Sequence, residues 1–306
     1  MKERRATLAL GGGGARGIAH LGAIEELLKS GFSVERIVGV SIGGLVGALF
    51  AFQPDITRVQ RQADAFLNSP QFQRHQRHLF GTKFGAPAAD AGTIVSRYRR
   101  LADSLRANHM LYRAVRHNSI LPGELLEQVV DHLLPDADIA DARIPLAVVA
   151  VNLHTGRPVV FDKGSLRRAV RASASVPGIF PPVAFEDQLL CDIGGFSDLT
   201  LGVARSYAPS LLIAVDVGAD LKPLARIPSA VEILLRMNDI GAALFREHVT
   251  VKADLVILPE VGHVDWFDFT SANTMIAAGR TATQLALRHF APRPSWLARL
   301  FTRKAQ

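Results

Sequence analysis

The sequence predicts an α/β fold in which a mainly parallel sheet is covered by helices, and three observations carry that expectation. Short apolar runs with the length of buried strands alternate with longer stretches whose apolar residues recur at helical spacing. Two glycine-containing turns stand where such a run passes directly into a helical pattern. Hydrophobic residues make up 48% of the 306 positions, enough for a sizeable core, and no Pro/Ser/Gly-rich linker or internal repeat divides the chain. A single domain over 1–306 is expected, with its core from about residue 6 to about residue 290.

Thr7 to Leu10 reads as the first, buried strand, and it runs into Gly11-Gly12-Gly13-Gly14-Ala15-Arg16-Gly17. Ile18, Leu21, Ile24, Leu27 and Leu28 then repeat at helical spacing, and Gly31 closes that helix. A glycine run between a strand and a helix leaves backbone N–H groups uncovered at the positive end of a helix dipole, which suits an anion. Gly12-x-Gly14-x-x-Gly17 also fits the dinucleotide-binding fingerprint, which calls for an acidic residue at the end of the second strand. Here that strand, Ile37 to Val40, ends in Ser41, and the nearby acid, Glu35, precedes it. Nucleotide binding is therefore the weaker reading.

The second strand passes through Gly39-Val40-Ser41-Ile42-Gly43 into an apolar helix. This is the pattern of a nucleophile elbow, in which flanking glycines permit a sharp turn that exposes a serine hydroxyl. A close-packed turn with serine as a mere helix cap would look the same in isolation. An anion loop one helix upstream favours chemistry, because an acyl-transfer serine needs donors for its oxyanion.

Charge is unevenly placed. Between Gln71 and His117 nine Lys or Arg face only Asp90 and Asp103, an excess equal to the net charge of +7 of the whole chain. We read about residues 69–122 as a basic helical insertion that contacts an anionic membrane surface. Nucleic acid is not expected, since aromatic residues are sparse there and no nucleic-acid motif occurs. Trp296, Leu297, Leu300 and Phe301, interleaved with Arg299, Arg303 and Lys304, suggest an amphipathic tail over about residues 294–306, for which packing onto the domain is an equal explanation. Thr7 already begins a strand, so no signal peptide is expected, and no apolar span of about 20 residues suggests a transmembrane helix. A cytoplasmic location, with peripheral membrane contact, follows as the expectation. Cys191 is the single cysteine and ends the apolar run Leu189-Leu190-Cys191, which favours a buried structural thiol. No histidine or carboxylate cluster has ligand spacing, so neither metal nor cofactor is expected.

No histidine is marked as a general base. His20 lies in the first helix, His154 in a hairpin turn, and His263 after a strand from Asp254 to Pro259. An order Ser41, Asp216, His263 would imitate an α/β-hydrolase, yet that fold reaches its serine after several strands and here one strand precedes the elbow. Ser173 and Ser175 lie where a helix end turns into a loop stiffened by Pro177, Pro181 and Pro182, and they are assigned packing or loop roles.

Four blocks in order resemble those of the patatin-like phospholipases: the glycine-rich loop, Gly39 to Gly43, Arg171 to Val183 (RASASVPGIFPPV), and Asp192-Ile193-Gly194-Gly195. The likeness extends from Thr7 to Leu287 and is weakest between Ser69 and Pro122. It implies the family's three-layer fold, with Ser41 as nucleophile and Asp192 as general base of a Ser-Asp dyad. It further implies Gly12, Gly13 and Gly14 as the oxyanion hole, with Arg16 supporting the loop and Gly17, Gly39, Gly43 and Gly194 completing the motifs. The implied substrate is a lipid acyl ester, of a phospholipid or lysophospholipid. The family has Gly after its aspartate where this chain has Ile193, and a β-branched residue disfavours positive φ. A relative that kept the fold but lost the dyad there would bind lipid or protein without turnover. The same residues would also serve acyl transfer to an acceptor other than water. Asp216, after the strand Leu211 to Val215, is the fallback base.

Overall fold

The structure, a computed structural model, describes residues 4–70, 72–74, 119–193, 198–221 and 253–290, with helical residues at 233, 236–237, 240–241 and 243–244. Most of the basic insertion, the C-terminal tail and Gly194-Gly195 lie outside the described residues.

Eight strands among the described residues form one sheet: β1 (Arg4–Leu10), β2 (Phe32–Val40), β3 (Leu146–Asn152), β4 (Arg157–Phe161), β5 (Val183–Phe185), β6 (Gln188–Cys191), β7 (Leu212–Val215) and β8 (Leu255–Ile257). The order is β5-β6-β3-β2-β1-β7-β8, with β4 also paired to β3. The β3-β2-β1-β7-β8 pairings are parallel, and the pairings of β4, β5 and β6 are antiparallel. The expected parallel sheet thus has an antiparallel margin, and the Asp192 block sits there.

Side-chain size separates the two faces. Leu8, Leu10, Ile37, Leu146, Val148, Ile213 and Val215 enter the larger core with Leu21, Ile24 and Leu27 of α1 (Ala19–Lys29) and Phe50 of α2 (Ile42–Phe52). The alternating Ala9, Val38, Ala147, Val149, Leu212 and Ala214 meet Leu201 and Ala204 of the helix Asp198–Ser206. Both faces are covered, which explains why the strands read as continuous apolar runs rather than as an alternation with polar residues. The helix α2 is buried along most of its length, so its sequence is apolar nearly all round.

Other helices follow their local signals. The carboxylate of Asp55 caps α3 (Ile56–Leu67) by accepting from Thr57 N and Arg58 N, and α4 (Gly123–Leu133) begins after Pro122. Ser165 caps α5 (Leu166–Ala174). The helix Asp198–Ser206 is α6, and the last among the described residues is α7 (Ala272–Arg288), whose Gly279 meets Ala19 O so closely that an added Cβ would lie 2.0 Å away. Glu25 joins α1 to its neighbours, accepting from Gln60 Nε2 and Arg280 Nε at 2.7 Å each and from Lys29. Burial acts to raise the Glu25 carboxyl, but these three donors outweigh it and bring it down to about 2. Among the described residues no helix is long and apolar enough to cross a membrane.

Candidate active site

Ser41 stands between β2 and α2 with φ 54° and ψ −126°, a conformation that L-residues avoid and that costs on the order of 1–3 kcal/mol. The surroundings enforce it. A Cβ on Gly39 would lie 2.4 Å from Gly43 O, and one on Gly43 would lie 2.3 Å from Leu10 O. Backbone meets backbone at both places, so neither contact can relax by a rotamer change. Ser41 is 7% exposed and stands at the N-terminus of α2, where the dipole favours negative charge.

The glycine loop packs beside this turn. Gly17 has no room for a Cβ, which would meet Ile42 Cγ2 at 2.2 Å, and one on Gly14 (φ 59°) would meet Trp266 O at 2.2 Å. Gly11 N donates to Val215 O at 3.1 Å and Ala15 N to Trp266 O at 2.6 Å. Gly12, Gly13 and Gly14 between them donate to no acceptor among the described residues. The short 3₁₀ helix Gly14–Ile18 follows, in which Arg16 is buried, donating Nε to Val217 O at 3.1 Å and an Nη to Val264 O at 3.3 Å. Arg16 therefore ties the loop to the segments after β7 and β8.

His20 lies under the same loop, fully buried, with Nε2 2.9 Å from Gly11 O. The carbonyl can only accept, so Nε2 carries the proton and Nδ1 is left without a partner among the described residues. Burial lowers its pKa to about 4, against smaller raising effects from Gly11 O and Asp216, which keeps the ring neutral at pH 7.

The sheet brings Ser41 and Asp192 to one place. On one edge of β3, β4 pairs with Val148 to Asn152. Both β2 and β6 must then use the other edge. β2 runs up it as far as Val40 opposite Val149, while β6 comes from the opposite direction as far as Cys191 opposite Val151. Continuing either register by one residue gives Ser41 opposite Ala150 and Asp192 opposite Ala150. One position cannot take both, and each chain leaves the sheet there. Asp192 is 3% exposed and its N–H donates to Ser175 O at 2.9 Å. Ile193 is not among the described non-glycine residues with positive φ, which are Ser41, Glu186 and Ala208, so its β-branched side chain meets no left-handed backbone. Cys191 beside it is buried, and burial followed by the Asp192 charge pushes its thiol up to about 11.

Other candidates are placed differently. Asp216 follows β7 and accepts from Gly218 N at 2.9 Å within its own turn, while β1 separates β7 from β2. His154 and His263 are exposed. Among the described residues no group of three His, Cys, Asp or Glu could hold a metal ion. Ser173 and His20 are the residues whose part the sequence did not disclose. A helix-end serine and a histidine on an apolar helix face carry no motif, although the burial of a polar ring at His20 could have been inferred from its helical position beside Gly17.

The patatin-like phospholipase family model matches residues 8–201, a span that contains both Ser41 and Asp192. The chain is 30% identical over 216 residues to a lysophospholipase nte1 of Aspergillus fumigatus, covering 71% of this chain and 12% of that protein. It is 27% identical over 305 residues to an uncharacterized NTE family protein of Mycobacterium tuberculosis, covering 92% of this chain and 46% of that protein. The chain thus spans less than half the length of these relatives. Among solved structures, VipD from Legionella pneumophila aligns with a TM-score of 0.43 at 12% identity, over 95% of this chain and 67% of that one. With the family model covering more than half of the sequence, this chain belongs to the patatin-like phospholipases.

Proposed function

We propose that the protein hydrolyses carboxylic acyl esters of lipids, phospholipids or lysophospholipids, with Ser41 as nucleophile and Asp192 as general base. The observation that carries this reading is the meeting of the β2 and β6 ends at Ala150, which brings a serine on a strained turn and a buried carboxylate to the same point of the sheet.

Asp192 takes the Ser41 Oγ proton as Oγ attacks the ester carbonyl. The carbonyl oxygen becomes an oxyanion, received by N–H groups of Gly12, Gly13 and Gly14 and by the positive end of α2. Collapse expels the lipid alcohol, which takes the proton back from Asp192, and leaves an acyl-enzyme. Water then repeats the sequence, its proton passing through Asp192 to Ser41, and releases the fatty acid. A carboxylate is a weak base in water, with a free aspartate pKa of ~3.9, and withdrawal from solvent is the condition that strengthens it. The lysophospholipase name of the fungal relative supports a lipid ester as substrate.

The test is fatty-acid release from lysophosphatidylcholine and from phosphatidylcholine by the wild type, Ser41→Ala and Asp192→Asn. Turnover by the wild type alone supports the dyad. Wild-type rates in either variant overturn it.

A further inference from the structure

We infer that Ser173 is a positioning residue whose hydroxyl replaces a rung of the sheet and thereby holds Ser41 out of register with β3. Ile37 N donates to Pro145 O at 2.9 Å, in a parallel register that pairs Ile37 with Leu146 and Val40 with Val149. Carried two steps to each further donor, this ladder aims Gly39 N at Ala147 O and Ser41 N at Val149 O. The last bond is not made directly. Ser41 N instead donates to Ser173 Oγ at 2.8 Å, and Ser173 Oγ donates to Val149 O at 2.5 Å. The hydroxyl lies between the donor and acceptor that a regular sheet would join, and it satisfies both.

Three consequences follow. The inserted oxygen separates Ser41 from β3 while leaving neither Ser41 N nor Val149 O unpaired, which is how β2 can end at this residue when it is buried. Ser173 is 0% exposed, so no water could do the same without a cavity being opened. The N–H of Ser41 is consumed, so an oxyanion there must be held by other donors, and the glycine loop remains for that purpose. The same helix end also reaches the other strand, since Ser175 O accepts from Asp192 N at 2.9 Å. The end of α5 is therefore a brace between the two strand ends, with the Ser173 hydroxyl as its contact to the nucleophile side.

The kinetic part of this inference rests on the proposed role of Ser41, and the hydrogen-bond part does not. Ser173→Ala is expected to lower kcat on lysophosphatidylcholine by about 10²-fold, the cost of a displacement near 1 Å, with KM within about twofold of wild type. Ser173→Thr, which keeps the hydroxyl, is expected to recover most of that loss. If Ser173→Ala does not fold, Ser173→Cys, nearly isosteric but a poor acceptor, takes its place. In parallel, the Ser41 amide proton, followed by NMR of labelled protein, should move upfield in Ser173→Ala and return in Ser173→Thr. A wild-type kcat in folded Ser173→Ala overturns the positioning role. An unmoved Ser41 amide overturns the hydrogen bond, and it does so even if wild type hydrolyses no lipid, in which case the reading of Ser41 as nucleophile fails separately.

Discussion

The two strand ends that meet at Ala150 are built by different means. On the β2 side, Ser41 is fixed locally, by a positive-φ turn between two glycines whose missing side chains would strike backbone oxygens. On the β6 side, neither Asp192 nor Ile193 has positive φ. Asp192 is delivered by an antiparallel register far along the chain, and its N–H donates to Ser175 O. The nucleophile side stores strain and tolerates no added atom, whereas the acid side depends on long-range pairing and accepts Ile193 without left-handed backbone.

The largest expected effects bear on whether both sides serve one reaction. Ser41→Ala and Asp192→Asn should each lower kcat by at least about 10³-fold while urea denaturation midpoints stay near wild type. A loss confined to Ser41→Ala would leave the acid side without a catalytic role. Next is the steric contrast. Gly43→Ala places a methyl against Leu10 O and should cost about 1–3 kcal/mol or more in urea unfolding, together with activity. Ile193→Gly, on the other side, is expected to stay within about 1 kcal/mol of wild type. Equal losses for the two variants would erase the difference between local and long-range construction.

A pH titration of stability sharpens the comparison further, because a neutral buried histidine lies under the glycine loop. His20 has a pKa of about 4 in the folded state against an ordinary 6.5, so between these values the unfolded chain binds the proton and the folded one does not. Stability should be complete above pH 6.5 and decline as pH falls toward 4, by about 3 kcal/mol from this group, and His20→Asn should flatten that decline. Glu25 acts in a lower window. Its folded value of about 2 lies below the ordinary 4.5, so its contribution is present above pH 4.5 and is lost as pH falls through 2. The smallest effect belongs to Cys191. With a buried thiol held near 11, it should resist iodoacetamide at pH 8 in the folded protein, and Cys191→Ala should leave turnover within about twofold.

The same division explains what the sequence could disclose. The Gly39 to Gly43 turn and the glycine loop are local, so their strand-turn-helix context was legible, as were the apolar strand runs and the Gly31 helix end. Strand lengths were less so, since β2 extends back to Phe32 through the half-buried Ser33, Val34, Glu35 and Arg36, whose mixed polarity makes no continuous apolar run. The antiparallel margin was not legible, because the pairing of β6 with β3 depends on register between segments some forty residues apart. Asp192 became a candidate through resemblance alone, and its partner in space emerges only from that register. For Ser173 the sequence suggests no more than a packing or loop role, since nothing in a helix-end serine announces that its hydroxyl bridges Ser41 N and Val149 O.

The most direct measurement is covalent labelling of wild type, Ser41→Ala and Asp192→Asn by a fluorophosphonate, with the modified peptide located by mass spectrometry. We expect rapid labelling of wild type confined to Ser41, none in Ser41→Ala, and slowing of at least about 10²-fold in Asp192→Asn. Wild type that stays unlabelled, or labelling of Asp192→Asn at the wild-type rate, would contradict a nucleophile and base brought together at Ala150.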